Sequence, residues 1–516
     1  MSDNTYAACA VAPRAAAEAA HGHHGWALVV LLVGAILPPI DYFIVNLALP
    51  AIRDGLGANA SELQLVVSAY ACANAVMLIT GGRLGDLYGR KRIFMIGMAG
   101  FVVASTFCGL ATSGTGLVAG RILQGLFAAT LAPQVLATIR SVFTPHEQVR
   151  VMGLYAFVFG VAAVIGQLGG GALISLHPFG LGWRAIFLVN LPIGVFALIG
   201  SWRFIPESRP PRGKRIDVPG TLLLSLFLLM LVYPLTRGRE SGWPLWMLAC
   251  LVGSVPMLGV LLRVEWRSLV NGKDPLLDVR LFRNPVIALG LVLGFLFYTL
   301  SAFFLTYGIY LQGGLHWTPL ASGLAILPFG LGFLSSPLLM PRLVHRFGGY
   351  RTLTLGFVLL ASGVAVAGTL AGAAQPGAGF YLGLAAIGIG QGLVLPSVVR
   401  IVLAEVEPER AGTTSGMITA TLQIGAAVGA ATLGGLFFSK LGAAPGVIDY
   451  AHAFRTTMFA LVAILLPCAL LSAALGPLHR RTHANAPGNE DLLRTPRDQK
   501  SICAESSTVR GAEVVR

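Results

Sequence analysis

Two charged residues, Asp41 and Arg121, stand deep inside long apolar runs. On insertion scales each costs about 2.5–3.5 kcal/mol at the centre of a hydrocarbon layer. Residues kept at such a cost are candidates for chemistry, and a buried acid that loads and releases a proton is the simplest chemistry the pair could do. At 1.5 Å per residue, Asp41 lies about 12 Å and Arg121 about 7.5 Å from the same end of their runs, a gap that an arginine side chain spans. A purely structural ion pair is the competing reading. Pro38 and Pro39 precede Asp41 directly. Consecutive prolines remove helix hydrogen bonds, so the sequence predicts a broken or kinked helix there, with freed carbonyls beside the acid.

A second constellation lies at Gly82-Arg83-Leu84-Gly85-Asp86-Leu87-Tyr88-Gly89-Arg90-Lys91-Arg92. It sets four basic residues, one acid and three glycines between apolar runs. A turn this short makes the two flanking helices antiparallel neighbours, because each needs about 20 residues to cross a bilayer. The turn has an internal echo, since residues 82–92 align with 341–351 and Arg83, Leu84, Gly89 and Arg92 match Arg342, Leu343, Gly348 and Arg351. Gln124-Gly125 is echoed in the same way by Gln391-Gly392. Duplicated halves around a central site are a transporter architecture.

The elements that must position these residues are set by composition. The 516 residues are 55% hydrophobic and only 11% charged, with 64 glycines, and the mean hydropathy is +0.76. Such a chain is an all-α polytopic membrane protein: its apolar stretches lack the period-2 alternation of a β-barrel, and small residues allow close helix packing in lipid. The net charge of +14 does not indicate nucleic acid here, because the positive residues line short loops, as orientation by the positive-inside rule requires. With both termini cytoplasmic, only Arg53, Arg184, Arg237, Arg239, Lys440 and Arg455 fall on the outer side.

Fourteen apolar segments lie between residues 26 and 476. They divide into a cytoplasmic tail (1–25), a six-helix bundle (26–205), a linker with two accessory transmembrane helices (206–285), a second six-helix bundle (286–476) and a disordered cytoplasmic tail (477–516). The six cysteines show no paired spacing, and His21, His23 and His24 read as part of a tail rather than a metal site. With no GxxxxGK[ST] loop, no nucleotide cofactor is expected, and a proton gradient is the simpler energy source.

These residues resemble the major facilitator superfamily, and within it the fourteen-helix drug:proton antiporter branch. Gly82, Leu84, Gly85, Asp86, Gly89, Arg90 and Lys91 match its loop between helices two and three, with Leu87 where a basic residue is usual. The segments 41–50, 121–125 and 183–194 resemble the branch's first-, fourth- and sixth-helix motifs, while Gln167 follows Gly166 where antiporters carry proline. The resemblance implies two pseudo-symmetric six-helix bundles around a central cavity, in a 6+2+6 arrangement. It also implies proton coupling through Asp41 and Arg121, and a cytoplasmic gating latch built on Gly82, Gly85, Asp86, Gly89, Arg90 and Lys91.

Asn46, Gln124, Gln167, Phe297, Tyr298, Phe304, Tyr307, Tyr310 and Gln391 are the expected cavity residues. They suit amphipathic organic compounds, and no acid falls in a second-half span to favour dications. The expected function is proton-coupled efflux of such compounds across the inner membrane. An importer of a small solute or siderophore on the same fold, or a membrane-embedded enzyme or receptor, are the alternatives. The expected partners are a small-molecule substrate, protons and the lipid bilayer, with a monomer as the working unit and an accessory periplasmic adaptor left open.

Overall fold

The computed structural model describes residues 14–208, 216–372, 377–406, 411–442 and 445–484. Fourteen long helices follow one another: α1 (Arg14–Leu56), α2 (Ala60–Tyr88), α3 (Arg90–Gly109), α4 (Gly114–Val142), α5 (Pro145–Leu176), α6 (Gly182–Phe204), α7 (Val218–Arg237), α8 (Leu245–Val270), α9 (Pro285–Gly314) and α10 (Pro319–Phe347), α11 (Gly349–Thr369), α12 (Ala378–Ala404), α13 (Ala411–Ser439) and α14 (Val447–Ala484). Among the described residues 13 helices are long and apolar enough to span a membrane. The remaining one is α5, which is 32 residues long.

Local chemistry sets the boundaries. Asn59 and Glu62 form a reciprocal capping box that starts α2 (2.8 and 3.1 Å). Asp217 accepts from the Gly220 N–H at 2.9 Å to start α7, and Thr318 caps α10 ahead of Pro319. The turns α2–α3 and α10–α11 each pivot on one glycine, Gly89 at φ 105° and Gly348 at φ 83°. Only glycine adopts such angles freely, so the echo seen in the sequence is repeated in the backbone.

Three expectations change. The helix α1 runs through Pro38 and Pro39 without a break. Packing holds it: Gly34 lies against the Phe94 ring with no room for a Cβ, and the Tyr70 hydroxyl donates to the Pro38 carbonyl at 3.4 Å. The same helix begins at Arg14, inside the expected tail, and α14 continues to Ala484, past the boundary at 476. Residues 485–516 of the expected disordered tail, with Glu407 and Glu409 of the loop after α12, lie outside the described residues.

Helices α1–α6 and α9–α14 form the two halves. Between them α7 packs against both α2 and α13, so that Leu224 and Leu228 join Ala75, Leu78 and Ala420 in one apolar cluster. The accessory pair therefore lies over one seam between the halves, and the outward face of α8 carries exposed Leu245, Val252 and Val255.

At the face opposite the Gly89 and Gly348 turns the halves are pressed together. Gln312 Nε2 donates to the Leu47 carbonyl at 2.8 Å, the Leu320 N–H to Ser175 Oγ at 3.1 Å and Arg53 Nη1 to the Tyr450 hydroxyl at 3.3 Å. Bare glycines make the approach possible, since a Cβ on Gly171 would meet the Pro319 carbonyl at 2.4 Å and one on Gly323 the Gln167 carbonyl at 2.7 Å.

Candidate functional site

Asp41 and Arg121 meet. The carboxylate is fully buried, Arg121 is 1% exposed, and Arg121 Nη1 donates directly to Asp41 Oδ2. The other carboxylate oxygen, Oδ1, accepts from Gln124 Nε2 at 2.8 Å and from Asn190 Nδ2 at 3.1 Å. All three partners are donors, so the geometry is that of a carboxylate, with no acceptor supplied for a carboxyl proton.

Arg121 is satisfied in its turn. Its Nε donates to the Val66 carbonyl at 3.0 Å, Nη1 donates to Gln124 Oε1 at 2.7 Å, and the guanidinium sits 4.2 Å over the Tyr70 ring. Four helices therefore build the site: α1 brings the acid, α4 the arginine and Gln124 three residues on, α6 Asn190, and α2 the ring and carbonyl. Asn190 is positioned by Ser105 Oγ at 2.9 Å.

The other expected cavity residues divide. Phe304 lies on the seam, edge-on to Phe43 of the first half at 5.1 Å. Tyr298 is half-buried. By contrast, Phe297 packs against Phe357, Tyr307 donates to the Ser322 carbonyl at 3.2 Å, and Tyr310 stacks on Phe454 at 4.6 Å and accepts from the Gly372 N–H at 2.9 Å. These three are packed inside the second half rather than facing the first. On a helix only one stripe can face the partner, and in α9 that stripe includes Phe304 and Gly308, whose missing Cβ admits the Asn46 carbonyl.

Three of the expected cavity amides carry unpaired atoms. Gln167 is buried with neither side-chain oxygen nor nitrogen hydrogen-bonded, and Asn46 Oδ1 and Gln391 Oε1 also have no partner. Gln391 repeats Gln124 in the second half, and among the described residues no acid is hydrogen-bonded to it. Buried polar atoms left unpaired cost about 1–3 kcal/mol each, which marks them as places where a ligand has something to gain.

Asp86, Arg90 and Lys91 of the 82–92 turn bond within the first half. Arg90 Nη1 donates to the Ala137 carbonyl at 3.1 Å and Nη2 to Asp86 at 3.5 Å, while Lys91 Nζ donates to the Trp202 carbonyl at 2.8 Å. Gly85 is packed by Gln134 and Gly89 by Glu207, and Gly82 lies 3.5 Å from Pro133 by its missing Cβ. Arg83, which sequence reasoning left out of the site, reaches away from this group and donates to the carbonyls of Asp274 and Pro275 ahead of α9.

Sequence reasoning also missed Asn190 and Tyr70 as partners of the ion pair, although Asn190 belongs to the sixth-helix segment already singled out. It missed a buried carboxyl group within a span as well. Glu265 of α8 is 0% exposed, so Asp41 and Arg121 are not alone within the spans.

Two duplicated helix bundles that close over a buried ion pair define a secondary transporter. The chain belongs to the Major Facilitator Superfamily, whose profile matches residues 31–430 and 287–510. It is 36% identical over 84% of its length to a probable actinorhodin transporter of Streptomyces coelicolor, covering 76% of that protein. It is 35% identical over 89% of its length to a puromycin resistance protein of Streptomyces alboniger, covering 92% of it. A solved proton-dependent oligopeptide transporter shares the fold at a TM-score of 0.61 and 15% identity, with 88% of this chain and 99% of that one covered.

Proposed function

We propose that this transporter exports amphipathic organic compounds, drugs or antibiotics, across the bacterial cytoplasmic membrane in exchange for protons. Among the observations, the buried Asp41–Arg121 pair with its four-helix shell supports this reading most strongly. The transport and resistance roles in the names of the two relatives support the substrate class and the outward direction.

The cycle rests on what these side chains do. With the Lys- and Arg-rich loops cytoplasmic and both termini inside, the face where the halves are pressed together is the outer one. Here Asp41 is a carboxylate held by three donors. When the outer ends part, a proton reaching Asp41 displaces Arg121, which keeps the Val66 carbonyl, Gln124 and the Tyr70 ring, so the guanidinium is not stranded. Substrate sits on the seam among Tyr298, Phe304 and Phe43, using the unpaired amide of Gln167 and the unpaired Oδ1 of Asn46. The drug and the proton favour opposite orientations, and that difference drives exchange. No bond is made or broken in the substrate, so the protein is a carrier and not an enzyme, and neither metal nor nucleotide is needed. Asp86 and the Arg90–Lys91 pair order the cytoplasmic ends of α2, α3 and α4 as a latch.

Resistance and efflux profiling of wild type against Asp41→Asn in a pump-deficient host tests this. Loss of efflux is the expected result, and equal efflux by both would remove Asp41 from the mechanism.

A further inference from the structure

The accessory pair α7–α8 carries a buried acidic site of its own. Asp217 caps α7 and is almost fully buried, and Glu265 near the end of α8 is wholly buried. Their oxygens converge on the bare face of Gly220: a Cβ there would meet Glu265 Oε1 at 2.1 Å and Asp217 Oδ2 at 2.7 Å. Backbone N–H groups serve three of the four carboxyl oxygens, from Gly220 to Asp217 Oδ1 at 2.9 Å, from Leu276 to Asp217 Oδ2 at 2.8 Å and from Leu277 to Glu265 Oε2 at 2.9 Å. Glu265 Oε1, facing Asp217, has no hydrogen-bond partner and no contact with solvent.

Two carboxylates this close and out of water cannot both stay ionised at modest cost, whereas a proton on Oε1 supplies the missing bond. Among the described residues Arg83 of α2 turns toward this region, where it donates to the carbonyls of Asp274 and Pro275. Among the described residues, Lys273, Asp274, Asp278 and Arg280 line a polar cavity of about 360 Å³ beside Arg83, with Thr414 of α13.

We infer that Asp217 and Glu265 hold a single proton between them, and that this protonated pair clasps the accessory helices to Arg83 and to the segment 274–277 that leads into the second half. The site is separate from Asp41 and uses no transported compound. Because the clasp needs its proton, the stability it gives is present where the proton is held and is lost where it is removed.

The test uses the full-length protein in liposomes, without substrate. Infrared difference spectra between about pH 6 and about pH 9 should show loss of a protonated-carboxyl C=O band that is absent in Glu265→Gln and kept in Asp41→Asn. The melting temperature of wild type should fall over the same range, and Glu265→Gln, permanently neutral, should lose most of that fall. Asp217→Asn should behave alike and serves if the first variant folds poorly. A band that survives both substitutions, or an alkaline fall in melting temperature unchanged by both, overturns the clasp. Since Asp41→Asn is carried alongside, failure of the efflux reading and failure of the clasp give different results.

Discussion

At the scale of single residues, the site is a carboxylate whose neighbours are all donors, and its energetics follow from that. Removing Asn190 takes one donor from Asp41 Oδ1 and leaves Ser105 Oγ without its donor; Asn190→Ala should cost about 1–3 kcal/mol of stability, measured by thermal unfolding in detergent. It should also weaken coupling, seen as a lower ratio of protons to substrate moved. A stability and ratio equal to wild type would mean that the bond to Asn190 contributes nothing. Asp41 and Arg121 were legible in the sequence because a charge in an apolar run stands out whatever the fold. Asn190 and Tyr70 were not, because an amide or a ring in such a run is ordinary, and only the tertiary structure shows which ones turn toward the acid. Glu265 escaped for a different reason: it sits close enough to the end of α8 to look like a loop residue, and its burial comes from Asp217 and residues 274–277, which sequence spacing does not bring to it.

At the scale of elements, the seam between the halves depends on missing side chains. Gly171 faces the Pro319 carbonyl and Gly308 the Asn46 carbonyl, so the branched side chain in Gly171→Val has no place in the closed outer face. That variant should insert into the membrane normally yet lose transport, with the outer end of α5 newly open to a membrane-impermeant thiol reagent at an introduced cysteine. Unchanged labelling with full transport would show that the outer face does not close as described. The expected break at Pro38-Pro39 shows how far local rules reach. Two prolines do remove two helix hydrogen bonds, but α1 is held from both sides by Phe94 and Tyr70, and packing outweighs the local defect. The glycine turns are the opposite case. Gly89 and Gly348 were visible as echoes in the sequence, and the structure needs them for the same backbone reason.

At the scale of the whole molecule, two bundles share one duplicated scaffold but only the first carries the acid. Gln391 repeats Gln124, but its Oε1 has no hydrogen-bond partner among the described residues. The number of spans was legible from hydropathy. The position of α7 over the α2–α13 seam was not, because a hydrophobic run does not say which neighbour it packs on.

Rocking of the halves requires the outer ends to part. A Ser175→Cys/Leu320→Cys pair, placed where those residues already touch, should stop transport when oxidised and regain it on reduction. Transport that continues while oxidised would exclude rocking at this face.

The central claim is that Asp41 carries the proton that exchanges for substrate. Purified protein in proteoliposomes loaded with a pH-sensitive dye, given substrate in the absence of other ions, measures this directly. Wild type should move protons across the membrane only when substrate is added, and Asp41→Asn should still bind substrate but move none. Substrate-dependent proton movement in Asp41→Asn equal to that of wild type would contradict the account.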